Sequence, residues 1–335
     1  MKKKMISVLV IGDPHFKVGN VQESEEMVKK LIELAKEKKP TFIVCLGDIL
    51  HRHETIHVSP LMRAEEMIRL LSEIAPTFLI IGNHDRPNNS NYLTNEHPFN
   101  AMKKWNNTYI VDKVVDSTIK NKRFLFVPYV PPGKFMDALN TIKNPLKETI
   151  AIFAHQEFYG AKMGAIVSQS GDKWSLDNPF VISGHIHDYD KPQSNITYVG
   201  TPFQHSFGDS AKKTISIFNF SEEGKITEHR EDLGLTKRII VYLTPEEIHT
   251  YEPPVNKLVK LVIRGDEASI KAVSKMEKIS ELKKRGIKIA FKSIDNKLTE
   301  SKGPVLRMRY KDRLYTEIRK DKNQLVWFDK LFSDK

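Results

Sequence analysis

Five short motifs, each closing an apolar run, hold the residues of this chain that can do chemistry. They are Gly12-Asp13-Pro14-His15, Gly47-Asp48, Gly82-Asn83-His84-Asp85, Ala154-His155 and Gly184-His185-Ile186-His187. Carboxylate, amide and imidazole side chains of this kind ligate divalent cations. Asp13 and His15, two apart at a strand end, can both reach one ion, and His187 can complete it from a distant strand. Asn83, His155 and His185 can hold a second ion, with Asp48 bridging the two. Two such ions about 3.5–4 Å apart acidify a water and clamp a phosphate for in-line displacement. His84, beside a ligand, is the candidate general acid, and Asp85 is expected to fix its tautomer and raise its pKa.

Each motif alone has an ordinary reading. Asp-x-His caps turns, Gly-Asp closes strands, and Asn-His-Asp forms Asx turns. All five in order, each after a strand-like run, point to a metal site.

The positioning elements follow from periodicity. Met5–Ile11, Thr41–Leu46, Thr77–Ile81, Thr149–Phe153 and Phe180–Ser183 read as buried strands of an α/β sheet. In such folds the carboxyl ends of the strands line the ligand crevice. Between the first three lie helices, one from Glu23 to Lys38 and one with Ser59 as N-cap and Pro60 first in the helix, running to Ala75. Ile196–Val199, Thr214–Phe220 and Lys225–Glu231 predict a second, more antiparallel sheet. A boundary near Leu233-Gly234-Leu235-Thr236 divides a catalytic domain (1–235) from a basic α+β domain (236–335).

In the second part, Arg238–Leu243, Lys257–Arg264, a helix from Ala268 to Arg285, and Ile287–Ile294 predict a β-α-β unit. Its helix carries Lys271, Lys275, Lys278, Lys283, Lys284 and Arg285, the candidate contacts to a nucleic-acid backbone. A basic stretch, Arg307–Lys322, leads to Val326-Trp327-Phe328, Leu331 and Phe332, expected to close that domain's core.

Composition narrows the classes. Cys45 is the only cysteine, so disulfide frameworks and thiolate metal sites are excluded, and an intracellular, cytoplasmic setting is expected. The apolar stretch after Lys4 ends at Asp13, too short for a secretory signal or a membrane span. From Thr236 onward 24 Lys or Arg face 14 Asp or Glu, which accounts for +10 of the +11 net charge. Such asymmetry suits a polyanionic partner.

The motif order resembles that of the calcineurin-like metallophosphoesterases: Asp-x-His, Gly-Asp, Gly-Asn-His-Asp, a lone His, and Gly-His-x-His, over roughly residues 5 to 210. The resemblance implies a four-layer αββα sandwich with a two-metal centre, usually of manganese, iron or zinc, with magnesium another candidate. It places Asp13, His15, Asp48 and His187 on one ion, Asp48, Asn83, His155 and His185 on the other, and makes His84 the acid.

Within that superfamily the chain looks most like SbcD-type double-strand-break repair nucleases, bacterial or viral. Gly47-Asp48-Ile49-Leu50-His51 is similar to that branch's Gly-Asp-x-x-His, which gives His51 a place near the scissile phosphate. Tyr198-Val199-Gly200-Thr201-Pro202 resembles its Gly-Ser-Pro segment, with Thr201 for the commoner Ser. The branch implies DNA as substrate and a coiled-coil ATPase of SbcC type as partner, docked through a segment for which little chain remains after Phe332. Whether the chain pairs as a homodimer is left open.

The expected activity is therefore metal-dependent exonuclease and endonuclease hydrolysis of DNA. Its rivals are a phosphomonoesterase or small-substrate phosphodiesterase on the same core, and a non-catalytic scaffold. His205 is read as structural, and Trp174 as a packing anchor.

Overall fold

The computed structural model of the chain describes residues 5–164 and 166–294. The stretches Arg307–Lys322 and Val326–Phe332 lie outside the described residues.

A strand that is apolar on both parities needs cover on both faces. In β1 (Ile6–Ile11), Leu9 and Ile11 face one core while Val8 and Val10 face another. The same split divides Ile43 from Phe42 and Val44 in β2 (Phe42–Cys45), and Leu79 from Phe78 and Ile80 in β3 (Thr77–Ile80). Two helices cover the first face, α1 (Val21–Lys38) and α2 (Val58–Ser72). Met27, Leu31 and Ala35 form the buried stripe of α1, which ends where Lys39 turns left-handed (φ 46°) before Pro40. The helix α2 begins at Val58, one residue before Ser59, so His57 and not Ser59 occupies the cap position.

The chain continues through β4 (Thr108–Val111), β5 (Val115–Ile119), β6 (Lys122–Val127), the short α3 (Phe135–Leu139), and β7 (Thr149–His155). Next come the two-residue strands β8 (Lys162–Met163) and β9 (Ile166–Val167), then β10 (Phe180–Gly184), β11 (Asp190–Gln193) and β12 (Ile196–Tyr198). Last in this body are β13 (Ile215–Phe220) and β14 (Ile226–Glu231).

These strands make two six-stranded sheets, in the orders β14-β13-β1-β2-β3-β4 and β11-β12-β10-β7-β6-β5. Phe42, Phe78, Phe124, Phe126 and Phe153 fill the space between the sheets, with the Phe78 and Phe126 rings stacked at 3.9 Å. Burying each such side chain contributes roughly 1.5–3 kcal/mol. The outer face of the second sheet is covered by α3 and by loop side chains, including Phe158 and the buried Trp174.

Two expectations are corrected. The motif-bearing runs belong to two sheets, not one: β1, β2 and β3 to the first, β7 and β10 to the second. The later strands β13 and β14 do not build the second sheet. They return to the first, where β13 pairs antiparallel with β1, and the middle of the second sheet is parallel.

A third sheet holds β15 (Lys237–Leu243), β16 (Lys257–Gly265) and β17 (Lys288–Ser293), all parallel. Its own core joins Val259, Leu261 and Ile263 to Val273, Ile279 and Leu282. The single helix expected from Ala268 to Arg285 is two, α4 (Glu267–Ser274) and α5 (Glu277–Lys284). Asp266 caps the first by accepting from the Ser269 amide.

Candidate metal centre

All five motifs sit at the carboxyl ends of β1, β2, β3, β7 and β10, so the two sheets present them along one rim. Backbone ties the motifs to one another, Asp13 across the sheets and Asp48 within the first. The Asp13 Oδ2 accepts from the His185 amide at 2.8 Å, and the Asp48 Oδ1 accepts from the His84 amide at 2.8 Å. Each carboxylate thus spends one oxygen on another motif. Its other oxygen turns inward. Asp13 Oδ1 is buried without a hydrogen-bond partner, and Asp48 Oδ2 stands 3.6 Å from His15 Nε2 and 3.4 Å from His155 Nε2.

The imidazoles converge on the same space. His15 Nε2 lies 3.0 Å from His187 Nε2. Asn83 Oδ1 lies 3.0 Å from both His155 Nε2 and His185 Nδ1. The Leu46 carbonyl accepts from His155 Nδ1 at 2.8 Å, which leaves Nε2 as the inward lone pair of the neutral ring. Asn83 is turned by its own amide, which donates to Asn89 Oδ1 at 3.2 Å.

This geometry fits a pair of cations. The ligand atoms of Asp13, His15 and His187 lie within 4.8 Å of one another, as do those of Asp48, His155 and His185. Each set holds three of the four residues expected on one ion, Asp48 Oδ2 lies near both His15 and His155, and His15, His51 and His84 form a third such group. His187 is the exposed member and marks the open edge. Bound there, two divalent ions would supply charge against a phosphate and an acidified water.

The electrostatics agree. Burial drives Asp48 up, but His155, His15 and His84 reverse this and hold its carboxyl well below the usual range. Burial pushes Asp13 up to about 8, relieved by His155 and reinforced by Asp48. Burial would lower His155, yet Asp48 and Asp13 raise it to about 9. Burial and the nearby His155 lower His185 to about 3, and burial holds His15 well below the ordinary imidazole range. Lone pairs at His15 and His185 are therefore available to a cation at neutral pH.

The backbone is strained at the same points. His15, Asp48 and His185 adopt left-handed conformations, with φ of 45°, 47° and 78°. Each costs on the order of 1–3 kcal/mol and persists because its surroundings over-determine it.

His84 is brought to the rim, but Asp85 is not its partner. The Asp85 oxygens accept from the Leu50 and Gly82 amides at 3.0 and 3.1 Å, and burial with Asp48 nearby raises its carboxyl to about 6. The group that orients His84 is the His51 carbonyl, 2.7 Å from Nδ1. The His51 ring lies parallel to His84 at 5.9 Å and edge-on to His15 at 5.3 Å. Burial and the nearby Lys17 lower it to about 4.

His205, read from the sequence as structural, stands at the rim. Its ring packs 5.1 Å from His15 and 5.5 Å from His187, and Nε2 donates to the Asp13 carbonyl at 3.0 Å. The signal available was its place three residues after Pro202 in the segment that follows β12. His53 also reaches this region, stacked on His84 at 4.6 Å.

The profile of the family described as Calcineurin-like phosphoesterase matches residues 6–189, from β1 through the Gly-His-x-His motif. The chain belongs to that family. Protein 078R of Invertebrate iridescent virus 3 is 41% identical over 298 residues, covering 87% of this chain and 85% of that protein. Protein 244L of Invertebrate iridescent virus 6 is 42% identical over 276 residues, covering 80% and 97%. Both carry provisional names as phosphoesterases. The solved Escherichia coli phosphoesterase Yfce spans 68% of this chain and all of its own at 11% identity, with a TM-score of 0.33, too loose to add to the fold. As a calcineurin-like phosphoesterase, the protein is a metal-dependent hydrolase of phosphate esters, and the clustered Asp and His side chains suit that family's two-metal centre.

The candidate nucleic-acid residues are divided by the structure. Lys278 and Arg285 both pair with Glu252. Among the described residues, Lys271, Lys275, Lys283 and Lys284 have no carboxylate within ion-pair distance. No helix among the described residues is long and apolar enough to cross a membrane.

Proposed function

We propose that the substrate is DNA and that the protein cuts its phosphodiester bonds, as an SbcD-type exonuclease and endonuclease acting in repair, recombination or replication. The observation that carries this reading is the third sheet and its attachment. Successive residues of a strand face opposite ways. Leu261 and Ile263 face the core under α4 and α5, so Lys260 and Arg264 face outward. In register with them on β17 stand Lys288 and Lys292. This cationic face begins beside the metal rim. Lys288 and Arg238 flank the Phe207 ring at 5.7 and 5.5 Å, two residues from His205. Arg238 is held there by Gln204 and by its ion pair with Glu23.

A small ester needs no such surface, whereas a phosphate backbone is held by lysine and arginine without reading bases. In this reading the residues divide the work. The motif ligands hold the two ions, and His84 gives its Nε2 proton to the leaving oxygen. The cations of the third sheet, with Lys271, Lys275, Lys283 and Lys284, carry the flanking duplex.

The test is end-labelled double-stranded DNA incubated with manganese, magnesium or EDTA, with His84→Ala alongside and chromogenic phosphate mono- and diesters in parallel. Manganese-dependent DNA degradation absent from the variant is the expected result. Intact DNA beside rapid turnover of a small ester would overturn the DNA reading and leave the phosphoesterase in place.

A further inference from the structure

The segments that follow the first two motifs zip together beyond the metal rim. Phe16 donates its amide to the Ile49 carbonyl at 2.8 Å, and His51 donates to the Phe16 carbonyl at 3.2 Å. On their outer side they leave a cavity of about 470 Å³. Lys17, His51, Arg52 and His57 form its polar wall, Phe16 and Leu50 its floor, and among the described residues no carboxylate lines it.

Two of those wall residues are cations without a carboxylate in contact among the described residues, Asp209 and Glu23 acting on Lys17 only from beyond ion-pair distance. Several cations of this body are engaged by acids: Arg63 with Glu25 and Glu66, Arg69 with Glu73, Arg123 with Asp116, Lys213 with Asp188. Lys17 reaches only the His205 carbonyl, at 3.3 Å. Among the described residues, neither Lys17 nor Arg52 has a carboxylate within ion-pair distance. The cavity also touches the centre directly, since the His51 ring in its wall is 5.3 Å from the ring of the candidate ligand His15.

We propose that this cavity is a subsite for a second phosphate, the one flanking the scissile phosphodiester in a polynucleotide. Lys17 and Arg52 hold its oxygens, and the Phe16–Leu50 floor takes the attached sugar. The subsite makes a nucleotide chain a better substrate than an isolated ester of the same leaving group. The inference rests on the phosphodiesterase reading of the metal centre.

The experiment uses chromogenic esters on either side of the sugar. One pair is thymidine 5′-(p-nitrophenyl phosphate) with and without a 3′-phosphate. The other is thymidine 3′-(p-nitrophenyl phosphate) with and without a 5′-phosphate. In the manganese-loaded wild-type protein, the added phosphate in one pair lowers KM about tenfold, the scale of one charge-assisted contact. The pair that responds tells on which side of the scissile bond the subsite lies. In Lys17→Ala/Arg52→Ala that ratio of KM values falls to about one, and in Arg52→Lys part of it survives. Circular dichroism melting checks the fold, and the exposed Arg52→Ala alone serves if the double variant melts early. Equal KM values in both pairs, or a ratio the double variant retains, overturn the subsite while leaving the phosphodiesterase standing. No turnover of any of these esters overturns the phosphodiesterase reading itself, and the subsite with it.

Discussion

The Nδ1 atom of His84 lies 2.7 Å from the carbonyl oxygen of His51. A carbonyl only accepts, so Nδ1 carries the hydrogen and the proton that can be given away sits on Nε2. His51, expected near the scissile phosphate, thus orients His84 through its backbone. Replacing His84 by alanine is expected to lower kcat by about 10²–10⁴-fold, the usual worth of a positioned general acid. Metal content measured by elemental analysis should stay at the wild-type level. A variant that keeps its metal and its turnover number would move the acid elsewhere.

Asp85 does different work from the one its neighbour suggests. Its buried carboxylate gathers the Leu50 and Gly82 amides and so joins the loops after β2 and β3. Asp85→Ala leaves two buried donors without an acceptor, at a cost of about 3 kcal/mol. For a body of this size that lowers Tm by roughly 6–12 °C. A shifted pH–rate profile with an unchanged melting temperature would instead make Asp85 a partner of His84.

Metal binding is expected to release protons at neutral pH. Without metal, Asp13 titrates near 8 and His155 near 9, because burial disfavours the Asp13 carboxylate and the carboxylates around His155 favour its imidazolium. Both groups are protonated at pH 7, and both must lose the proton to ligate. Affinity therefore rises with pH up to about 9 and levels off once both are deprotonated. Titration calorimetry in two buffers of different ionisation enthalpy reads the release directly, as a difference in apparent heat. Equal heats in the two buffers would mean that these ligands are already deprotonated.

What the sequence made legible was the chemistry, because spacing and strand ends are local. Asp13-x-His15 and His185-x-His187 each advertise a strand exit, and seven ligand-type side chains meet where the order of motifs put them. Pairing is not local. Phe218 and Phe220 look like any half-buried strand, and nothing in Thr214–Phe220 tells whether it joins β12 or travels back to β1, as it does. Short breaks are also weak signals. Lys275-Met276 divides α4 from α5 without a glycine or proline, since Met276 turns to pack on the third sheet's core. The place of His205 at the rim was not legible because its partner is a backbone carbonyl, and every residue offers one of those.

The glycines of the motifs carry the last expectation. An added Cβ at Gly82 would stand 2.2 Å from Asp48 Oδ1 and 2.3 Å from the Asp48 backbone nitrogen. The side chain could turn away, but the amide could not, since Asp48 is fixed in its left-handed conformation between β2 and the rim. Gly82→Ala must therefore push the Asp48 carboxylate, the expected bridge, off its place. Overpacking of this kind costs about 1–3 kcal/mol in stability. Disturbing a ligand's support typically lowers metal affinity about 10–100-fold. Gly208→Ala is the matched control, because the nearest atom to its Cβ is Ser206 Oγ at 3.7 Å. Competition with a fluorescent chelator compares the two variants. Equal metal affinities in them would show that the rim yields where the packing says it cannot.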